Sequence, residues 1–220
     1  MVSCKDGSRS GNSGWVACTP QLPRILQKCS REGEKPNMKK FLLLALLVPA
    51  FSVATAASDD DVNNFKARLR GLGEVPPVAT QATGSFTASL SSDGSTLSYT
   101  VTYNNLNAPV LFSHIHFGFT KEVGGVMVFL CGPAAGAVGG PPAGFPSPPA
   151  CPDTTSGSVS GTVTVANVVG PNSQGITPGA DFAKVVQAMR GGAAYVNVHS
   201  TRSPGGEVRG PVQAGDGDDQ

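Results

Sequence analysis

The chain has 220 residues, is 40% hydrophobic and only 6% aromatic, and carries a formal net charge of +1. From Ala57 onward, Lys and Arg number 8 against 12 Asp and Glu, so the basic surplus lies in residues 1–56 and the remainder is acidic at −4. That balance argues against a nucleic-acid partner, which needs a basic face to displace counterions.

Residues 1–37 are polar, lack hydrophobic periodicity and carry Cys4, Cys18 and Cys29 in no recognisable pattern. Met38-Lys39-Lys40 is followed by an apolar run from Phe41 to Val48, then Pro49 and the small-residue site Ala54-Thr55-Ala56. A charged start, a short apolar run and an A-x-A site make a secretory signal peptide over residues 38–56, cut after Ala56. The run is shorter than the roughly 20 apolar residues of a membrane span, so a membrane is met only if the signal stays uncleaved. A signal peptide should begin a chain. We therefore expect translation from Met38, with residues 1–37 a mis-called, disordered extension.

The remainder is long enough for one domain with its own core. Asn64–Gly71 alternates apolar and charged residues and predicts a first strand with Phe65, Ala67 and Leu69 inward. Pro76 and Pro77 then bar residues 71–78 from a central strand, leaving an extended turn or edge that carries Glu74. Gly84–Leu90 and Leu97–Tyr103 flank Ser92-Asp93-Gly94-Ser95, a hairpin signal. Val110–Phe117 reads as a strand, and Gly124–Leu130 as a central one because it is apolar on both faces. Residues 131–155 shift to Gly, Pro and Ala, a solvated insertion too long for an ordinary connection. Gly157–Val165 alternates again. Ala180–Arg190 is the one convincing helix, with Phe182, Val185, Val186 and Met189 on one stripe and Gly191-Gly192 ending it. The acidic tail, residues 213–220, reads as disordered. Many short strands and one helix predict an all-β sandwich or barrel.

Two cysteines follow the cleavage site, Cys131 and Cys151. An exported pair flanking one loop reads as a disulfide, and its spacing is unlike a thiolate metal site. The chain holds three histidines, His114, His116 and His199. Residues two apart on a strand share a face. His114 and His116 therefore point one way and Ile115 the other, while Tyr195, Asn197 and His199 oppose Val196 and Val198. With Ile115 and the valines inward, all three imidazoles stand on the outer face. Two chemistries fit. Three neutral imidazoles suit copper or zinc with a position left open. Alternatively His114, His116, Asn197, His199, Glu207 and Arg209 share the face as a polar network, with Arg209 pairing to Glu74 or Glu207. No nucleophile elbow, phosphate loop or His-Glu-x-x-His occurs, and Ser113 points away from His114, so a non-enzymatic protein is expected. Copper-zinc dismutase chemistry needs more histidines than the chain holds.

Five blocks in order resemble the CHRD domain, named after chordin. They are Phe65-x-Ala67-x-Leu69-x-Gly71, Glu74–Val78 with Ala82-Thr83-Gly84, Leu97–Val101, His114–Gly118, and Tyr195–Ser200 with Pro204–Gly210. The resemblance covers residues 64–212 and departs from the family pattern in the Cys131–Cys151 insertion and at Ser113. It implies an immunoglobulin-like β-sandwich or barrel outside the cytoplasm, secreted or periplasmic. It implies a binding or structural module whose partner is an unidentified extracytoplasmic protein or surface ligand; no cofactor is expected unless the histidines take copper or zinc.

Overall fold

A computed structural model of the chain describes residues 63–215. The expected signal peptide, the extension before it and residues 216–220 lie outside the described residues. Nine strands and one α-helix follow in order: β1 (Asn64–Arg70), β2 (Thr83–Leu90), β3 (Leu97–Asn104), β4 (Val110–Phe117), β5 (Gly125–Cys131), β6 (Gly157–Val163), α1 (Phe182–Arg190), β7 (Ala194–Ser200), β8 (Val208–Pro211) and β9 (Gln213–Ala214). Gln213 and Ala214, expected in the tail, pair with β1 instead.

The alternating residues form strands because one side of each can be buried while the other meets solvent or a loop. Phe65, Ala67 and Leu69 of β1 face Phe86 and Ala88 of β2 and Tyr99 and Val101 of β3 in one apolar core. Burying each large apolar side chain contributes about 1.5–3 kcal/mol. The β2–β3 hairpin turns at Asp93-Gly94, where Gly94 takes φ +70° and Asp93 accepts hydrogen bonds from Ser91 and Ser95. Val185 and Met189 seat α1 on the same core.

All strands belong to one sheet in the order β5-β4-β7-β8-β1-β2-β3-β6, with β9 beside β1. The two end strands approach each other. Just past β6, Val169 N–H donates to Met127 O of β5 at 2.9 Å, which leaves the sheet nearly closed and barrel-like. The expectation of an all-β fold with one short helix holds. The placing of β5 does not, because it ends the strand order. Residues 168–176 cover its free edge, where Gly125 N–H also donates to Gln174 at 2.9 Å, and its side chains are apolar because Met127, Val128 and Leu130 join the core while Phe129 packs on His114.

Cys131 and Cys151 form a disulfide that pins the base of the Gly/Pro-rich insertion. The insertion is not merely solvated. A Cβ at Gly139 (φ +81°) would stand 3.0 Å from Phe112 Cε1, so the loop lies directly on that ring. Phe112 shares its strand face with the histidines.

Candidate metal centre

Strands β4 and β7 are antiparallel neighbours, with His114 opposite Asn197, His116 opposite Tyr195 and Phe112 opposite His199. On the far side of β4, His114 faces Phe129 of β5, and on the far side of β7, Asn197 faces Arg209 of β8. The alternation therefore brings the three imidazoles onto one face as expected. That face is not open to solvent, however: His114, His116 and His199 are 5%, 8% and 6% exposed. Loops that strand periodicity cannot reveal supply the cover: the insertion lies on Phe112, the turn between β4 and β5 meets His116 through Gly124 O, and the loop before β8 meets His199 through Pro204 O.

One ring nitrogen from each histidine lies within 4.8 Å of the others. His116 Nδ1 lies 2.9 Å from Gly124 O, and His199 Nδ1 lies 2.9 Å from Pro204 O. A carbonyl oxygen only accepts, so both Nδ1 atoms carry the proton and both Nε2 atoms hold a bare lone pair. No hydrogen bond closes on the Nε2 of His199 or on either nitrogen of His114, and the one polar side chain beside His116 Nε2 is that of Asn197. Burial holds His114 well below the usual imidazole range, with the neighbouring His199 and His116 adding to the effect. Burial also lowers His116, and it lowers His199 to about 4. All three rings are neutral at pH 7.

The unpartnered atoms are one-sided. His116 Nε2, His199 Nε2 and one nitrogen of His114 are acceptors, and only the other His114 nitrogen can donate. Asn197 Oδ1 and Glu74 Oε1 close no hydrogen bond of their own, and the Asn197 amide stands beside both Glu74 and His116. Three imidazoles cannot satisfy one another from a single N–H, and each buried polar atom left unpaired costs about 1–3 kcal/mol. Such a pocket suits an electron-pair acceptor. Metal–nitrogen bonds of about 2.1 Å require nitrogens about 3.5 Å apart, so the set must draw in by about 1 Å from its 4.8 Å limit. His114 breaks no hydrogen bond in making that shift, since only ring contacts hold it. Phe112 stacks on it at 4.9 Å between centroids, and Phe129 meets it edge-on at 4.4 Å. Phe112 also touches His199 at 4.5 Å.

A second tier fixes His116. Its ring stacks on Tyr195 at 4.7 Å and 5° between planes, and the Arg209 guanidinium covers the same tyrosine at 4.1 Å. Arg209 Nε pairs with Glu74 Oε2 at 2.9 Å, and its Nη1 donates to Glu122 O at 2.8 Å. Tyr195 Oη accepts from Gly124 N–H, and Gly124 O is the acceptor that sets the His116 tautomer. Of the two partners expected for Arg209, Glu74 or Glu207, the pairing is with Glu74. Burial raises the Glu74 carboxyl above its ordinary pKa even against the pull of Arg209.

Glu207 does not join the face. It lies before the first residue of β8, after Gly206 at φ +122°, so strand alternation does not govern it. Its carboxylate accepts instead from Thr80 Oγ1, the Asn107 N–H and Ser200 Oγ, and Ser200 points away from His199 on β7. Sequence reasoning missed Phe112 and Phe129 as walls. Phe112 lies two residues before His114, so the same alternation could have placed it; the backbone acceptors of Gly124 and Pro204 leave no trace in residue type.

No curated protein and no solved structure matches the chain. The family model of the CHRD domain matches residues 65–212, which begin in β1 and end beyond β8. That span takes in every histidine, both cysteines of the disulfide and the Glu74–Arg209 pair, and the chain belongs to the CHRD domain family.

Proposed function

We propose that this CHRD domain is a non-enzymatic, exported metal-binding module that holds one copper or zinc ion through His114, His116 and His199. One observation carries the reading: three buried, neutral imidazoles converge with two of their tautomers set by backbone carbonyls, so that bare Nε2 lone pairs meet in one place. Second-tier acceptors on the outer ring nitrogen are how metal-ligating histidines are oriented. The three imidazoles hold too few N–H donors to satisfy one another, and Glu207 turns away to Thr80, Asn107 and Ser200, which supports a metal over a network closed among the rings. The Cys131–Cys151 disulfide and the extracellular habit of the family support a secreted or periplasmic setting. An immunoglobulin-like description of the barrel belongs to the same reading and leans on the all-β architecture. In that setting the loaded domain would serve as a binding or structural element towards an extracytoplasmic partner or surface ligand. The test is calorimetric titration of the metal-free full chain with zinc and copper, backed by elemental analysis. One ion per chain is expected, and its loss in His116→Ala and His199→Ala. Binding that persists unchanged in both variants refutes the site.

A further inference from the structure

The charge and chemistry of the surroundings narrow the ion that such a site would take. The donor set has three neutral nitrogens and nothing else: among the described residues the potential ligand group is His114, His116 and His199, with no carboxylate and no thiolate. The two cysteines described are tied up as a disulfide. Phe112 and Phe129 press on the rings, so the ligands sit against apolar walls. The fixed charge felt by both His116 and His199 is the cation Arg209, and the carboxylate that could offset a metal, Glu74, is already paired with it.

Bringing an ion into such a place carries a desolvation penalty that grows with the square of its charge, roughly fourfold for a dication over a monocation of equal radius. Sites that hold dications offset the penalty with anionic ligands or with a fourth donor, and zinc prefers four ligands. A monovalent d10 ion needs neither, because it accepts three donors in a plane. We propose that the three-histidine site is selective for Cu(I) over Cu(II) and Zn(II). The inference rests on the metal-binding reading above and specifies its ion.

The experiment uses the full chain with its disulfide intact. Cu(I) affinity is measured anaerobically by competition with a chromophoric Cu(I) chelator, using a reductant that spares the disulfide. Cu(II) and Zn(II) affinities are measured by competition with indicators for each ion at the same pH. Cu(I) is expected to bind one per chain and at least ~100-fold more tightly than Cu(II). By the 59 mV per tenfold of a one-electron couple, that raises the potential of bound copper ~120 mV above the aqueous couple. The His114→Ala/His116→Ala/His199→Ala variant should lose the ion, and His199→Ala alone serves if the triple variant does not fold. Equal or tighter binding of Cu(II) or Zn(II), abolished by those substitutions, overturns the Cu(I) preference while leaving the three-histidine site standing. Failure to bind any of the three ions, or binding that the substitutions leave intact, removes the site and the preference together.

Discussion

Glu74→Gln probes the pair that ties residues 71–78 to the second tier of the site. Glu74 and Arg209 side chains are 2% and 3% exposed and meet at 2.9 Å. Burial raises the Glu74 pKa despite the adjacent guanidinium, so desolvation outweighs the attraction within the pair. The pair itself then adds little net stability, whereas removing one partner strands a buried charge, which costs about 3–5 kcal/mol. Glutamine keeps one oxygen for Arg209 Nε, and Arg209 keeps the carbonyl of Glu122, so the loss should fall at the lower end, about 3 kcal/mol. For a domain of this size that is a drop in Tm of roughly 6–12 °C. Urea denaturation of the metal-free protein at pH 7 measures it directly. The double variant Glu74→Leu/Arg209→Met should recover most of the loss, because it removes both charges and keeps apolar bulk. A loss in Glu74→Gln below about 1 kcal/mol, the range of an exposed pair, would refute the argument.

Gly206→Ala should destabilise by about 2 kcal/mol or more, since Gly206 holds φ +122° and a Cβ there would stand 2.4 Å from Glu74 Oε1; an unchanged urea midpoint would contradict that close approach. Acid should weaken the metal-free fold. His199 titrates near 4 when folded and near 6.5 when unfolded, so between those values the unfolded chain binds more protons and stability falls as pH falls, by about 3 kcal/mol for this residue alone. His114 and His116 shift in the same direction, while the raised Glu74 carboxyl opposes them over its own range. Stability that stays flat from pH 7 to 4 would refute the burial of neutral imidazoles. Reducing Cys131–Cys151, which are 20 residues apart, should cost about 3 kcal/mol in the chain-entropy model, read as a shift in denaturation midpoint with and without dithiothreitol.

Strand alternation made much of this molecule legible before its structure. Phe65, Ala67 and Leu69 face inward, the Asp93-Gly94 hairpin closes as its turn residues require, and α1 buries the stripe that starts at Phe182. The gathering of His114, His116 and His199 on one face followed from the same period of two, whereas charge left Arg209 two partners, Glu74 or Glu207, and the fold pairs it with Glu74. What stayed hidden depends on how loops fold back. Residues 71–78 carry Glu74 to Arg209, and the insertion after Cys131 lies on Phe112, so a face that alternation marks as outer is in fact enclosed. Strand position was equally hidden for β5, an end strand that reads as central because Met127, Val128 and Leu130 lie in the core and Phe129 packs on His114. Glu207 shows where the period of two ends: after Gly206 the backbone is not yet a strand, and the carboxylate turns to Thr80, Asn107 and Ser200.

The most direct test of the account is X-ray absorption at the metal edge of the full chain loaded with one equivalent of copper. We predict a first coordination sphere of three imidazole nitrogens, with no sulfur and no carboxylate oxygen from the protein, and its loss in the variant lacking His114, His116 and His199. A first sphere made of oxygens, or imidazole scattering that survives removal of these three residues, would contradict it.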